Sequence, residues 1–120
     1  MSAPSEGEQA ELVRSLNAAR ERTAAQVDAL ARDLDQIFEA SELVSTDDEH
    51  DPAGATIAYE RAQLTALLAQ AREDLDALAQ ALIEMQRTGR VRCEGCGEPI
   101  AFERLLALPT ARTCIHCAPR

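Results

Sequence analysis

Cysteine occurs four times in this sequence, only as two Cys-x-x-Cys pairs: Cys93 with Cys96, and Cys114 with Cys117. A Cys-x-x-Cys turn aims two thiolates at one point, and two such turns complete a tetrahedron. That is the ligand set of a closed structural zinc site. Thiolates suit a borderline-soft cation and not calcium or magnesium. Four thiolates leave no open position for water, so the spacing predicts one structural zinc per chain and not a catalytic one. His116 sits between Cys114 and Cys117 and, with four cysteines at hand, reads as a surface residue. A disulfide-bonded secreted domain is the bland rival, but the start, MSAPSEGEQ, has no apolar signal segment. A redox dithiol would use one pair in a βαβ setting, which is not visible here, and an iron centre is the other alternative to zinc.

Composition sets the frame around that site. The chain has 120 residues, with 2 % aromatic content and no Trp. Alanine and leucine dominate the apolar residues, which suits long helices better than a globular core. No apolar run approaches a membrane span. A cytoplasmic setting is expected, where reducing conditions favour zinc over disulfides. The net charge of −9 is uneven. Residues 1–86 carry −12 and residues 87–120 carry +3. The acidic part should repel nucleic acid. The basic end can meet phosphate or an acidic protein surface, or be an ordinary solvated face.

Ala10 to Val44 contains no Pro or Gly. Apolar or small residues recur at Leu12, Leu16, Ala19, Thr23, Val27, Leu30, Leu34 and Ile37, in steps of three and four with one irregular place. That is a coiled-coil seam. Asp51-Pro52 then predicts a helix start, with Asp as N-cap and Pro in the first turn. A second helix is expected to Gln86, its seam at Ile57, Arg61, Leu64, Leu68, Ala71, Leu75, Leu78, Leu82 and Met85, widened by Leu67, Ala79 and Ile83. Gly89 stops it. Two such helices read as an antiparallel hairpin with arms of roughly 50 Å. The fold class expected is all-α: a long coiled-coil hairpin and a small C-terminal four-cysteine zinc module. Residues 1–9 form a disordered start, 10–88 the hairpin with its tip at 45–53, and 89–120 the finger. Zinc binding supplies folding free energy to a module too small for its own core. Gly95 and Gly97 let the backbone turn around the metal, and Ala101–Leu108 is a short helix ended before Pro109. Ile100, Phe102, Leu105, Leu106 and Leu108 are expected to pack against the coil base.

The tip is the second concentrated feature, with Asp47, Asp48, Glu49 and Asp51 around His50. These carboxylates can bind a divalent cation or approach basic groups or a metal in a partner; equally, they can cap a helix as a solvated loop. No nucleophile–base pair is evident, and the two histidines lie in different regions, so no enzyme is expected.

The run Cys93-Glu-Gly-Cys96-Gly-Glu-Pro-Ile100, followed by Glu103-Arg104-Leu105, Ala107-Leu108-Pro109 and Cys114–Cys117, closely resembles the DksA/TraR-type zinc finger. Its longer members are bacterial regulators that bind RNA polymerase directly. Their hairpin enters the polymerase secondary channel and carries an Asp-x-x-Asp-x-Ala motif at its tip. The resemblance implies a cytoplasmic, monomeric transcription regulator with RNA polymerase as its partner, no sequence-specific DNA and no membrane. Asp48-x-x-Asp51-x-Ala53 fits the tip motif in spacing; a second register, anchored on Asp51, places Gly54 and Thr56 in the later positions. The alternative is a zinc-capped coiled-coil adaptor for another protein partner.

Overall fold

A computed structural model describes residues 3–43 and 52–119, of which residues 41, 43, 52 and 53 are described by their backbone alone. The described residues form three helices: α1 (Glu6–Leu43), α2 (Pro52–Thr88) and α3 (Phe102–Ala107). The described residues form no strand, only an isolated antiparallel bridge between Arg92 and Pro99. Among them, no helix is long and apolar enough to cross a membrane. The expected all-α class, with two long helices and a C-terminal cysteine cluster, is what the chain adopts.

α1 starts at Glu6, four residues ahead of the expected Ala10, because Ser5 and Glu8 make a reciprocal cap. The Glu8 N–H donates to Ser5 Oγ at 3.2 Å, and the Ser5 N–H donates to Glu8 Oε1 at 2.9 Å. Two otherwise orphaned donors are satisfied this way, and the Ser-x-x-Glu spacing was readable in the sequence. α2 begins at Pro52, as the Asp51-Pro52 pair predicts. It runs to Thr88, two residues past the expected end, and the Gly89 N–H closes on the Met85 carbonyl at 2.9 Å.

The chain gathers into two compact units, Met1–Thr23 with Asp74–Arg120, and Ala24–Glu73. In the first, Leu12, Leu16 and Ala19 of α1 share one buried cluster with Leu78, Ala81, Leu82 and Met85 of α2. The steps of three and four keep each set on one face, so the two helices bury a common seam. The finger joins the same cluster through Val91, Cys93, Ile100, Leu105, Ala111 and Cys114, with Phe102 and Leu106 partly buried against it. Leu108 does not join them: it is 46 % exposed. It follows the last turn of α3, where its N–H bonds the Arg104 carbonyl and its side chain is carried away from the core. In the second unit, Leu68 and Ala71 are buried, while Val27, Leu30, Leu34, Ile37, Ile57 and Leu64 are half-buried.

Three seam expectations change. Arg61 is exposed, its guanidinium lying 5.9 Å from the centre of the Phe38 ring. The charged head keeps its water and lies at the outer range of a cation–π contact with the ring face. Leu75 is half-buried, the deeper packing falling three residues on at Leu78. Leu67 and Ile83 are about half exposed and do not widen the stripe; two facing helices bury a narrow seam.

Gly89 joins helix to finger in the left-handed region, with φ 75°. A Cβ there would lie 2.8 Å from Gln9 Oε1, and Gln9 itself is held by a bond from Nε2 to the Pro4 carbonyl. Gly89→Ala is expected to cost roughly 1–2 kcal/mol, since φ > 0 penalises any Cβ. Adding Gln9→Ala should recover only a small part, because the end of a flexible side chain moves cheaply. Urea unfolding of the single and double variants checks this; full recovery in the double variant would place the cost in the contact and not in the backbone.

Candidate metal centre

Each cysteine pair closes a tight turn. In the first, the Cys93 N–H bonds the Glu98 carbonyl at 2.8 Å, and the Gly97 N–H bonds the Cys93 carbonyl at 2.9 Å. In the second, the N–H groups of Cys117 and Ala118 both reach the Cys114 carbonyl, at 3.1 and 2.9 Å. The two turns are tied by the Glu94 N–H to the Arg112 carbonyl at 2.8 Å. Gly95 is required for their approach: a Cβ there would sit 2.9 Å from both Cβ and Sγ of Cys117. α3, which lies between the pairs, is anchored to the second turn by Arg104 Nε donating to the Thr113 carbonyl at 2.7 Å.

The four Sγ atoms of Cys93, Cys96, Cys114 and Cys117 all lie within 4.8 Å of one another. The Cys96 and Cys114 sulfurs are 3.9 Å apart. A tetrahedron with Zn–S of about 2.3 Å places its sulfurs about 3.8 Å apart, so the donor set fits zinc. Cys93 and Cys114 are buried; Cys96 and Cys117 are exposed. The cluster therefore has its back to the core and its front to solvent.

The sulfurs are not equivalent. Cys93 accepts the Cys114 N–H at 3.2 Å and the Gly95 N–H at 3.3 Å. The Cys114 bond is the main reason its pKa falls to about 6, burial opposing it and further backbone contacts from Cys96 and Gly95 adding to it. Cys117 is pushed up to about 12, first by the Cys114 thiol, then by Cys93 and by burial. At Cys96 the backbone at Glu98 pulls the pKa down, but the Cys93 and Cys114 thiols together with burial outweigh it, and the pKa rises. Four crowded thiols resist joint ionisation unless a cation sits among them. His116 is exposed, and the metal-capable cluster does not include it.

Sequence reasoning missed Arg112. Its Nη1 bonds Gln80 Oε1 at 3.1 Å and Glu94 Oε1 at 3.0 Å, linking α2 to the first cysteine turn. Gln80 is 32 positions away, and no local pattern could announce it. The tip positions Asp48 and Asp51 lie outside the described residues, and Ala53 is placed only as part of α2.

Comparison with known proteins agrees with this geometry. Residues 87–120 match the prokaryotic dksA/traR C4-type zinc finger. The finger is thus of a zinc-binding class, with a structural Zn2+ for which the clustered cysteines are the available donors. The structure of transcription factor DksA2 from Pseudomonas aeruginosa aligns over 92 % of this chain and 80 % of its own length. The TM-score is 0.72 and the sequence identity 25 %. No curated protein sequence matches the chain. Residues 87–120 are thus similar to the DksA/TraR-type finger, and the fold of nearly the whole chain is similar to that of DksA2.

Proposed function

We propose that this protein is a zinc-dependent transcription regulator, that Cys93, Cys96, Cys114 and Cys117 ligate its zinc, and that it acts on RNA polymerase through the secondary channel. The likeness of nearly the whole chain to a transcription factor, with a finger of the same class at its C-terminal end, carries this reading. Zinc here is a fold element: it orders the turns that hold the finger on the coil base. Neither catalysis nor sequence-specific DNA binding is part of the function, and the balance of −12 over residues 1–86 argues against a DNA duplex as partner. The protein works as a cytoplasmic monomer. In this reading residues 10–88 form the coil, residues 45–53 its tip and residues 89–120 the finger. Asp48 and Asp51, with Ala53, are the acting residues, in the register matching Asp-x-x-Asp-x-Ala. Their carboxylates influence the polymerase catalytic magnesium or its mobile elements by charge, and no bond is made or broken.

Asp48→Asn with Asp51→Asn is expected to abolish the effect on transcription while polymerase binding and zinc content persist. Asn retains size and N-capping ability, so the change removes charge selectively. Open-complex lifetime at a sensitive promoter, at equal polymerase occupancy, is the measurement. A wild-type protein that changes this lifetime and a double variant that acts identically would remove Asp48 and Asp51 from the mechanism. A wild-type protein that neither co-purifies with polymerase nor alters the lifetime would leave a zinc-capped adaptor for another protein.

A further inference from the structure

Apolar burial is distributed very unequally along α1 and α2. Among the described residues, the five large side chains that are most completely buried, Leu12, Leu16, Leu78, Ile100 and Leu105, all belong to the unit of residues 1–23 and 74–120. So does every member of the buried core cluster. Among the described residues of 24–73, only Leu68 and Ala71 are buried. The remaining seam residues there are half-buried, and Arg61 replaces an apolar residue in the middle of the pattern. Exposed bulky apolar side chains occur in both units, Phe38, Tyr59 and Leu67 here and Ile83, Leu108 and Ile115 in the other, so the difference lies in what is buried. Ordering a residue costs much the same free energy in either unit, while burial that offsets the cost is concentrated in one.

We infer that residues 24–43 and 52–73 open together as a cooperative unit of their own while the coil base and the finger stay folded, and that the Phe38–Arg61 contact sets the threshold for opening. The physical basis is local. A helix of this length is held mainly by its packed face, so weak packing over several consecutive turns lets those turns separate together. Arg61 is the weakest seam position, because its charge prevents burial, and Phe38 supplies a cation–π contact there. A polar residue at a seam position lowers stability and fixes register, which suits a segment that opens and closes in one alignment. The inference is independent of the identity of any partner.

Hydrogen exchange of the zinc-loaded full chain, read by mass spectrometry or NMR, is the test. Amides of residues 27–37 and 57–71 are expected to have protection at least about tenfold lower than those of residues 12–19 and 78–85, and to share one opening. Arg61→Leu should raise protection across residues 27–37 and 57–71 about threefold or more and leave the other unit unchanged. Phe38→Ala should lower it in the same residues only. Equal protection in both units, or variants that shift all amides together, would show one cooperative fold and overturn the inference. Unequal protection without a response to either variant would overturn the role of the Phe38–Arg61 contact.

Discussion

Replacing Cys93 with serine is expected to release the zinc and unfold residues 87–119, leaving most of the helical signal of α1 and α2 in place. Cys93 is 2 % exposed and belongs to the core cluster that α1, α2 and the finger share. Its sulfur organises both turns, taking N–H bonds from Gly95 and from Cys114. Serine keeps a hydroxyl but is a poor zinc donor, and it leaves those N–H groups facing an oxygen too short to reach both. Zinc contributes apparent folding free energies of about 10–16 kcal/mol in finger peptides, far more than this small module can gain from Val91, Ile100 and Leu105 alone. Elemental analysis, finger NMR signals and helical circular dichroism check the three parts of the expectation. Removing the metal from the native protein with a strong chelator should give the same result. A Cys93→Ser protein that keeps one zinc per chain and an unchanged finger spectrum would mean that the cluster does not hold the ion. Arg112→Ala is the contrast: its ion pair with Glu94 is largely solvent-exposed, so the loss should be about 1 kcal/mol or less.

The second large effect is expected at Leu78, which is 1 % exposed. Leu78→Ala should cost about 2–5 kcal/mol, the range for a leucine whose cavity cannot collapse. Leu78→Asp should prevent folding of the coil base, because a carboxylate there has no partner among Leu12, Leu16, Leu82 and Met85. Leu75→Ala should cost less than Leu78→Ala, since Leu75 is only half-buried. Arg72 and Glu73 are exposed, and alanine at either should change stability by about 0.5 kcal/mol or less. Urea unfolding of the zinc-loaded proteins gives all four values. Equal losses at Leu78 and Arg72 would be incompatible with a seam at Leu78.

The sequence by itself determined the four-cysteine cluster, the two long helices, the start of α2 at Pro52 and its stop at Gly89. Each rests on local chemistry. A Cys-x-x-Cys turn brings two sulfurs together whatever surrounds it, steps of three and four put leucines on one helix face, and the N–H-free Pro52 and the left-handed Gly89 mark ends by backbone geometry alone. The early start of α1 was equally local and legible, since Ser5 and Glu8 stand at capping-box spacing. Tertiary structure decided what depends on a second element. Periodicity places Arg61, Leu75 and Leu78 on the same stripe, but the depth of each is set by the residues opposite. Arg61 finds Phe38 and stays exposed, whereas Leu78 meets α1 and is buried. Leu108 was apolar and adjacent to the core, yet the end of α3 directs it to solvent. Gly95 is fixed by the sulfur of Cys117, and Arg112 by Gln80, partners distant in the chain. Pattern fixes which face of a helix is apolar; only packing against another surface fixes how much of that face leaves water.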